Sequence, residues 1–228
     1  DEYVIKSVDR QLISDVPVGV MLSGGMDSSA LTALMARVRG NPDFHTFSLA
    51  FDDESFDESP FAKIVADQIG TTHHVIRVTP GKVADLLPRY LTYIDEPYAD
   101  GSAIPTYLLA ECARDYITVL LSGEGGDEVF AGYDTYAAYK MRSLYRSIVP
   151  GFIRKGIIKP VVDRLPVSHK KLSFEFKAKR FTNGVELSVP ASHYSWRAVL
   201  SEDMKSRVLA NYDRFSGFDP SVRFFEDT

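Results

Sequence analysis

Seven residues, Ser23-Gly24-Gly25-Met26-Asp27-Ser28-Ser29, set two glycines, one carboxylate and three hydroxyls between an apolar run and a helical pattern. Glycine backbone can turn its amides toward an anion where side chains would block the approach. Ser28 and Ser29 begin the helical pattern, where unpaired N–H groups and the helix dipole favour negative charge. Ser23, Ser28 and Ser29 add hydroxyl donors. Asp27 is the odd member, because a carboxylate repels phosphate. It fits if Mg2+ lies between them, since that ion takes oxygen ligands and bridges carboxylates to phosphates. The chemistry suggested is that of a mononucleotide's phosphates. No lysine closes the motif, so this is not the GxxxxGK[ST] loop of common NTPases. The alternative, a Gly-Gly turn with Asp27 or Ser28 capping a helix, accounts for one polar residue only.

Elements that could position these residues recur along the chain. "VGVML" (Val18 to Leu22) reads as a buried strand, and Ala30, Leu31, Leu34, Met35 and Val38 then fall on one helical face. "FHTFSLAF" (Phe44 to Phe51), "HHVIRV" (His73 to Val78) and "YITVLLS" (Tyr116 to Ser122) read as further strands. Between them, Phe61, Ile64, Val65 and Ile69 stripe a helix that Gly70 would stop. Thr79-Pro80 would open another, and Thr106 to Asp115 suits a third. Strands alternating with helices predict an α/β fold, a doubly wound parallel sheet of about five strands with helices on both faces. From about Ser143 the pattern loosens into irregular or short helices, with a weak helical signal from Ala191 to Tyr212. The expected organisation is a core over residues 1–142 and an irregular, mostly helical extension over 143–228. No internal repeat is visible.

Composition sets bounds. The 228 residues are 45% apolar, enough for a sizeable core. A formal net charge of −5 gives no sign of a nucleic-acid or membrane surface, and no apolar stretch is long enough for a transmembrane helix. Cys112 is the single cysteine, so no intrachain disulfide can form, which fits a reducing cytoplasm. Both ends read as interior sequence, and a piece of a longer protein is expected.

"SGGMDSS" resembles the pyrophosphate loop of the ATP pyrophosphatase group, which splits ATP between its α and β phosphates and adenylates a carboxyl or carbonyl oxygen. "LSGEGGDEVFAGY", Leu121 to Tyr133, also follows a strand and enters a helix, and it resembles the second nucleotide motif of the glutamine-dependent asparagine synthetase family. "DVPVGVMLSGGMDSS", "DEPYADGSAIPTYLL" and "LSGEGGDEVFAGY" keep that family's order and approximate spacing. The likeness covers Asp15 to about Tyr139. It implies an adenine nucleotide alpha hydrolase-like core that binds ATP and Mg2+. Ser122 and Gly123 would contact the nucleotide through backbone, and Asp127 would be a second Mg2+ ligand facing Asp27. Glu124 would stand near the α-phosphate, at the position the family ties to forming the β-aspartyl-AMP intermediate. Gly125 and Gly126 would keep the loop slim. Met21 and Leu49 would line the adenine side through backbone groups. The alternative for Glu124 and Asp127 is a helix start whose acids the dipole favours, and Glu128 is assigned to it outright.

The resemblance implies small-molecule substrates: aspartate, ATP, and ammonia released from glutamine by an N-terminal glutaminase domain in the full protein. A homodimer stays open. Other readings are a β-lactam synthetase-like or capsule/exopolysaccharide amidotransferase, or a nucleotide-binding fragment without turnover. The glutaminase cysteine and the family's downstream lysine are not found, so the 228 residues are expected to make no asparagine alone. The loop from Asp95 to Pro105 could border an amino-acid site or be an acidic solvated loop. His73 and His74 suit strand residues facing opposite ways, Cys112 suits a buried structural thiol, and His169 to Arg180 suits a solvated surface or flap.

Overall fold

Four strands, β1 (Val18–Met21), β2 (His45–Phe51), β3 (Thr72–Val78) and β4 (Val119–Leu121), form a sheet in the order β3-β2-β1-β4. Every pairing is parallel, with Val20 opposite Thr46 and Leu121, and Phe47 opposite His74. The computed structural model describes residues 2–96, 100–168, 170, 173–198, 200 and 202–212. They divide into two units, Asp1–Gly126 and Asp127–Thr228. The expected core boundary at residue 142 falls within a helix of the second unit. About five strands were expected, and four form among the described residues.

In the first unit the helices are α1 (Glu2–Gln11), α2 (Met26–Arg39), α3 (Ser59–Ile69), α4 (Pro80–Tyr93) and α5 (Ala103–Ala113). The chain steps β1-α2-β2-α3-β3 in one direction. It then returns through α4 and α5 to lay β4 on the other side of β1. That reversal wraps both faces of the sheet. On one, Val18 and Val20 pack with Met35 of α2 and Val8 of α1; on the other, Phe47 and Ile76 pack with Leu109 and Ala113 of α5. The Phe47 ring is fully buried, and truncating such a ring costs about 3–5 kcal/mol.

Local signals behave as their chemistry requires. Gly40 and Gly70 end α2 and α3 with φ of 73° and 91°, a region few other residues enter cheaply. Thr79 caps α4 by accepting from the Lys82 N–H, with Pro80 in the first turn. The expected stripe of α3 is corrected: Phe61 and Ile64 are each 61% exposed, and Ala62, Val65 and Ala66 face inward around Leu22. Small side chains are needed because α3 lies close on the sheet. Ala30 is likewise exposed, its place on the inner face of α2 taken by Thr32. The helix expected from Thr106 begins earlier, at Ala103.

The second unit contains α6 (Gly126–Phe130, beginning on the last residue of the first unit), α7 (Asp134–Ile148) and α8 (Gly151–Ile153). A π turn (Arg154–Ile158), α9 (Lys159–Asp163), α10 (Phe174–Gly184), α11 (Val189–Ser195) and α12 (Glu202–Val208) follow. The helix α7 runs through Ser143, where the pattern had been expected to loosen. The stretch His169 to Arg180, expected to be a solvated surface or flap, is helical from Phe174 on as part of α10, capped by Ser173; His169, Lys171 and Leu172 lie outside the described residues.

His73 and His74 do face opposite ways. The His73 ring meets the hydroxyls of Thr46 and Ser48 at 2.9 and 3.1 Å, while His74 meets His45 at 2.9 Å and stacks on Phe47. Burial holds both below the usual imidazole range, with His74 adding to the effect on His73 and His45 to that on His74. The unfolded chain therefore takes up these protons at a higher pH than the folded one. Between the two values stability must fall as pH falls. Urea unfolding of the first unit is expected to show a lower midpoint at about pH 5 than at about pH 7.5, with a smaller difference in His73→Gln. An equal difference in that variant would remove His73 from the account.

Candidate functional site

The strand order reverses between β1 and β4, and in an open parallel sheet ligands bind outside the carboxyl ends of the strands at such a point. Both glycine-rich stretches leave from there: Ser23 to Ser29 follows β1 and Ser122 to Gly126 follows β4.

The first loop is shaped from within. Ser28, 6% exposed, is its hub. Its Oγ accepts from the Ser23 N–H at 3.2 Å, meets Ser23 Oγ at 3.0 Å and lies 3.2 Å from the Gly25 carbonyl. The Gly25 N–H in turn reaches Ser23 Oγ at 3.3 Å. Thr32, which the sequence reading left out, ties the next turn down by donating to the Ser28 carbonyl at 2.7 Å. Its signal was a hydroxyl on the inner, otherwise apolar face of α2. Gly24 has a φ of +82°, and a Cβ there would lie 2.5 Å from the Ala62 nitrogen and 2.6 Å from Phe61 Cβ. Glycine is thus required for conformation and for space, since the start of α3 abuts the loop. Gly25 precedes α2 with extended backbone and no side-chain cap. The expected alternative, a helix capped by Asp27 or Ser28, is not formed, because both lie inside the first turn of α2.

The second loop rests on the first. A Cβ on Gly123 would stand 2.9 Å from the Ser28 nitrogen and 3.1 Å from Asp27 Cβ. One on Gly126 would stand 2.5 Å from Asp27 Cγ. Ser122 and Glu124 are exposed, and the Ser122 hydroxyl accepts from the Glu124 N–H at 3.4 Å. Ser23, Ser28, Asp27, Gly123 and Gly126 are therefore brought together. Met21 and Leu49 pack their side chains into the apolar cluster of Phe47, Ile76 and Leu109.

One buried group stands out. Ser29 Oγ is inaccessible and has no hydrogen-bond partner in the structure, an expensive state unless something else satisfies it. Ser29 lies in the first turn of the 14-residue α2, its N–H on the Gly25 carbonyl at 3.0 Å, and the start of such a helix is suited to an anion.

Asp127 opens the second unit, in α6. Its Oδ1 lies where a Cβ on Gly132 would be, so the bare Gly132 leaves room for that carboxylate. Glu128 accepts from the Tyr133 hydroxyl, which holds its carboxyl below the usual range; the assignment of Glu128 to structure agrees with this. Lys177 pairs with Asp134 and Lys179 with Glu175. In the Asp95 to Pro105 loop, Asp100 accepts from the Ser102 N–H and hydroxyl, which lowers its pKa; Pro97, Tyr98 and Ala99 lie outside the described residues. Cys112 packs beside Phe47 and Leu109, and burial pushes its thiol up. Among the described residues no cluster of three or more His, Cys, Asp or Glu side chains could hold a metal, and no helix is long and apolar enough to cross a membrane.

Fold and site define a doubly wound α/β domain with paired glycine loops at the switch point. The model of the asparagine synthase family matches residues 1–216, and the chain belongs to that family. It is 42% identical over 149 residues to a relative in Methanocaldococcus jannaschii, covering 65% of this chain and 28% of that one. With asparagine synthetase [glutamine-hydrolyzing] 1 of Bacillus subtilis it shares 39% over 135 residues (59% and 21%). With asparagine synthetase B [glutamine-hydrolyzing] of Escherichia coli it shares 34% over 143 residues (56% and 25%). The matched part spans about a quarter of the length of these relatives. NMN synthetase from Francisella tularensis overlaps at a TM-score of 0.46 and 13% identity, covering 88% of this chain and 95% of that one, too loose a match to argue from.

Two glycines separate close approach from conformation alone. Gly40 is left-handed with nothing within 4 Å, so Gly40→Ala is expected to cost about 1 kcal/mol. Gly24→Ala adds a backbone collision and should cost about 2–4 kcal/mol. Chemical denaturation of both variants checks this, and equal losses would mean that α3 yields to the new methyl group.

Proposed function

We propose that this chain is the synthetase part of a glutamine-hydrolysing asparagine synthetase, activating the β-carboxylate of aspartate with ATP. The observation that carries the reading is the junction of the two glycine loops at the first turn of α2, where Gly123 meets the Ser28 nitrogen and Gly126 the Asp27 carboxylate. Family membership and the named relatives supply the substrate class.

In this reading the loop amides and the Ser23, Ser28 and Ser29 hydroxyls hold the β and γ phosphates, while Ser122 and Gly123 hold the nucleotide from the β4 side. Met21 and Leu49 present backbone to adenine. The aspartate carboxylate oxygen attacks the α-phosphorus, the α–β bridging P–O bond breaks, and pyrophosphate leaves. Glu124 acts beside the α-phosphate as the acyl-adenylate forms. Ammonia then attacks the β-carbonyl carbon, a proton is lost, and AMP departs as asparagine forms. Preorganised donors at a helix start lower the barrier by meeting charge that develops on the leaving group.

A carboxylate at Asp27 suits Mg2+, which adds one or two protein carboxylates to substrate phosphates; Asp127, which opens the second unit, is the further ligand that the family resemblance implies. When bound, Mg2+ would neutralise charge on the pyrophosphate. Asp27 holds its carboxylate beside the first turn of α2, and Asp127 holds a second at the start of α6. Nitrogen would come from glutamine through a glutaminase domain, and the single cysteine suits a cytoplasmic setting.

Calorimetry tests the metal assignment. Asp27→Asn keeps shape and removes charge, so Mg·ATP and Mg·pyrophosphate affinity should fall far more than adenosine affinity. Equal losses for all three ligands would remove Asp27 as a metal ligand. For Glu124→Gln in the glutaminase-containing protein, ATP affinity should hold within a few-fold. Aspartate-dependent pyrophosphate release should drop by about 100-fold or more, as when an interaction belongs to the transition state. Proportional losses of both would make Glu124 a docking residue.

A further inference from the structure

The stretch Gly123-Glu124-Gly125-Gly126 has glycine at three of four positions, and each meets a different constraint. Gly125 has a φ of +89° and open space around it, so it is chosen for conformation. Gly123 lies against the backbone of Asp27 and Ser28. Gly126 begins α6 without a positive φ, and as far as conformation goes alanine would be the better helix former there. The three atoms that a Cβ there would meet first all belong to one side chain. A Cβ at 126 would lie 2.5 Å from Asp27 Cγ and 2.7 and 2.8 Å from its two carboxylate oxygens.

We propose that Gly126 is a positioning residue for Asp27: its bare Cα is the seat that fixes where the Asp27 carboxylate points its oxygens, and so presents them to a divalent cation. The metal half of this rests on the proposed function; the seat itself does not. Asp27 sits in the first turn of α2, where side-chain rotamers are few but more than one is open. Among the described residues no hydrogen bond orients its carboxylate, so packing must. Of the two glycines of the other loop, Gly123 lies nearest the Asp27 backbone and Cβ, and Gly126 is the one whose added Cβ would meet both carboxylate oxygens. A methyl group there would drive Asp27 into another rotamer or push α6 away. The glycine that looks like part of the nucleotide loop acts on the carboxylate of the loop opposite.

Two measurements decide the proposal. In the first, pyrophosphate binding is followed by calorimetry with and without Mg2+ for the wild type, Gly126→Ala and Gly40→Asn, Gly40 lying at the far end of α2 and asparagine being tolerant of its left-handed region. Gly126→Ala should lose about 10- to 100-fold of the Mg2+-dependent gain, the usual cost of disturbing a ligand's support, while its Mg2+-free affinity stays unchanged. Gly40→Asn should keep both. Loss of the gain in neither variant, or equally in both, overturns the proposal. In the second, thermal melting of wild type, Gly126→Ala, Asp27→Ala and the double variant forms a cycle free of any ligand. Gly126→Ala should lower the melting temperature in the wild-type background and not in the Asp27→Ala background, where the colliding atoms are gone. Additive losses overturn the seat even if Gly126→Ala is too unstable for calorimetry. A wild type that gains nothing from Mg2+ would end the metal reading, and the cycle would still decide whether Gly126 seats Asp27.

Discussion

The approach of the β4 loop backbone to the first turn of α2 is the constraint on which the site depends. Gly123 stands where any Cβ would lie 2.9 Å from the Ser28 nitrogen, so the loop touches the helix start with main chain rather than side chains. Such contact has no slack: packed interiors do not deform continuously, and a single methylene is felt. Ser23, Ser28 and Gly25 hold one side of the junction by a closed set of hydrogen bonds. Ala62 and Phe61 of α3 hold it from below through Gly24. The strand order β3-β2-β1-β4 then does the rest, because it is the reversal beside β1 that delivers both loops to one end of the sheet.

The second unit is held differently. Its interior relies on arginines that reach main-chain carbonyls. Arg154 contacts the carbonyls of Arg146 and Val149 and forks onto Glu186, whose carboxyl this contact holds below its usual range. Arg142, 8% exposed, donates to the Leu187 carbonyl and leaves its Nε unpartnered. Arg180 reaches the Trp196 carbonyl while its guanidinium lies over Phe176. Removing one member of such a buried charged contact is more damaging than the contact is stabilising, because the remaining charge has no water to return to. This unit therefore tolerates substitution of those arginines poorly.

Much of the first unit was legible from sequence. The four strands, the stops at Gly40 and Gly70 and the Thr79-Pro80 start each follow from local chemistry that survives in any context. The errors have one source as well. Phe61 and Ile64 were assigned to the buried face of α3 because they are large and apolar, but the face that meets the sheet had to be small, and Ala62 and Ala66 took it. Helix α1, left unassigned, owes its place to the burial of Val8 against α2. The extension of α7 beyond Ser143 is supported on its inner side by Arg142, a residue that no apolar pattern would select. At the site, residue types suggested the chemistry proposed for each loop. The dependence of Asp27 on Gly126 was hidden, because residues so far apart in the chain leave no local pattern when they meet.

The pairing of Val18 with Val119 joins the first strand of the sheet to its last. Everything between them must be made before that contact can form. Long-range parallel pairing of this kind is slow, since loop closure precedes any reward. On a ribosome the chain emerges from its N-terminus, so the Ser23 to Ser29 loop is synthesised long before the strand that completes its neighbourhood. Until β4 docks, Asp27 lacks the glycine contacts of the second loop, although the hydrogen bonds among Ser23, Gly25 and Ser28 can already shape the first. The order of strands thus acts as a timer: the site comes into being only when the last strand of the sheet closes beside the first.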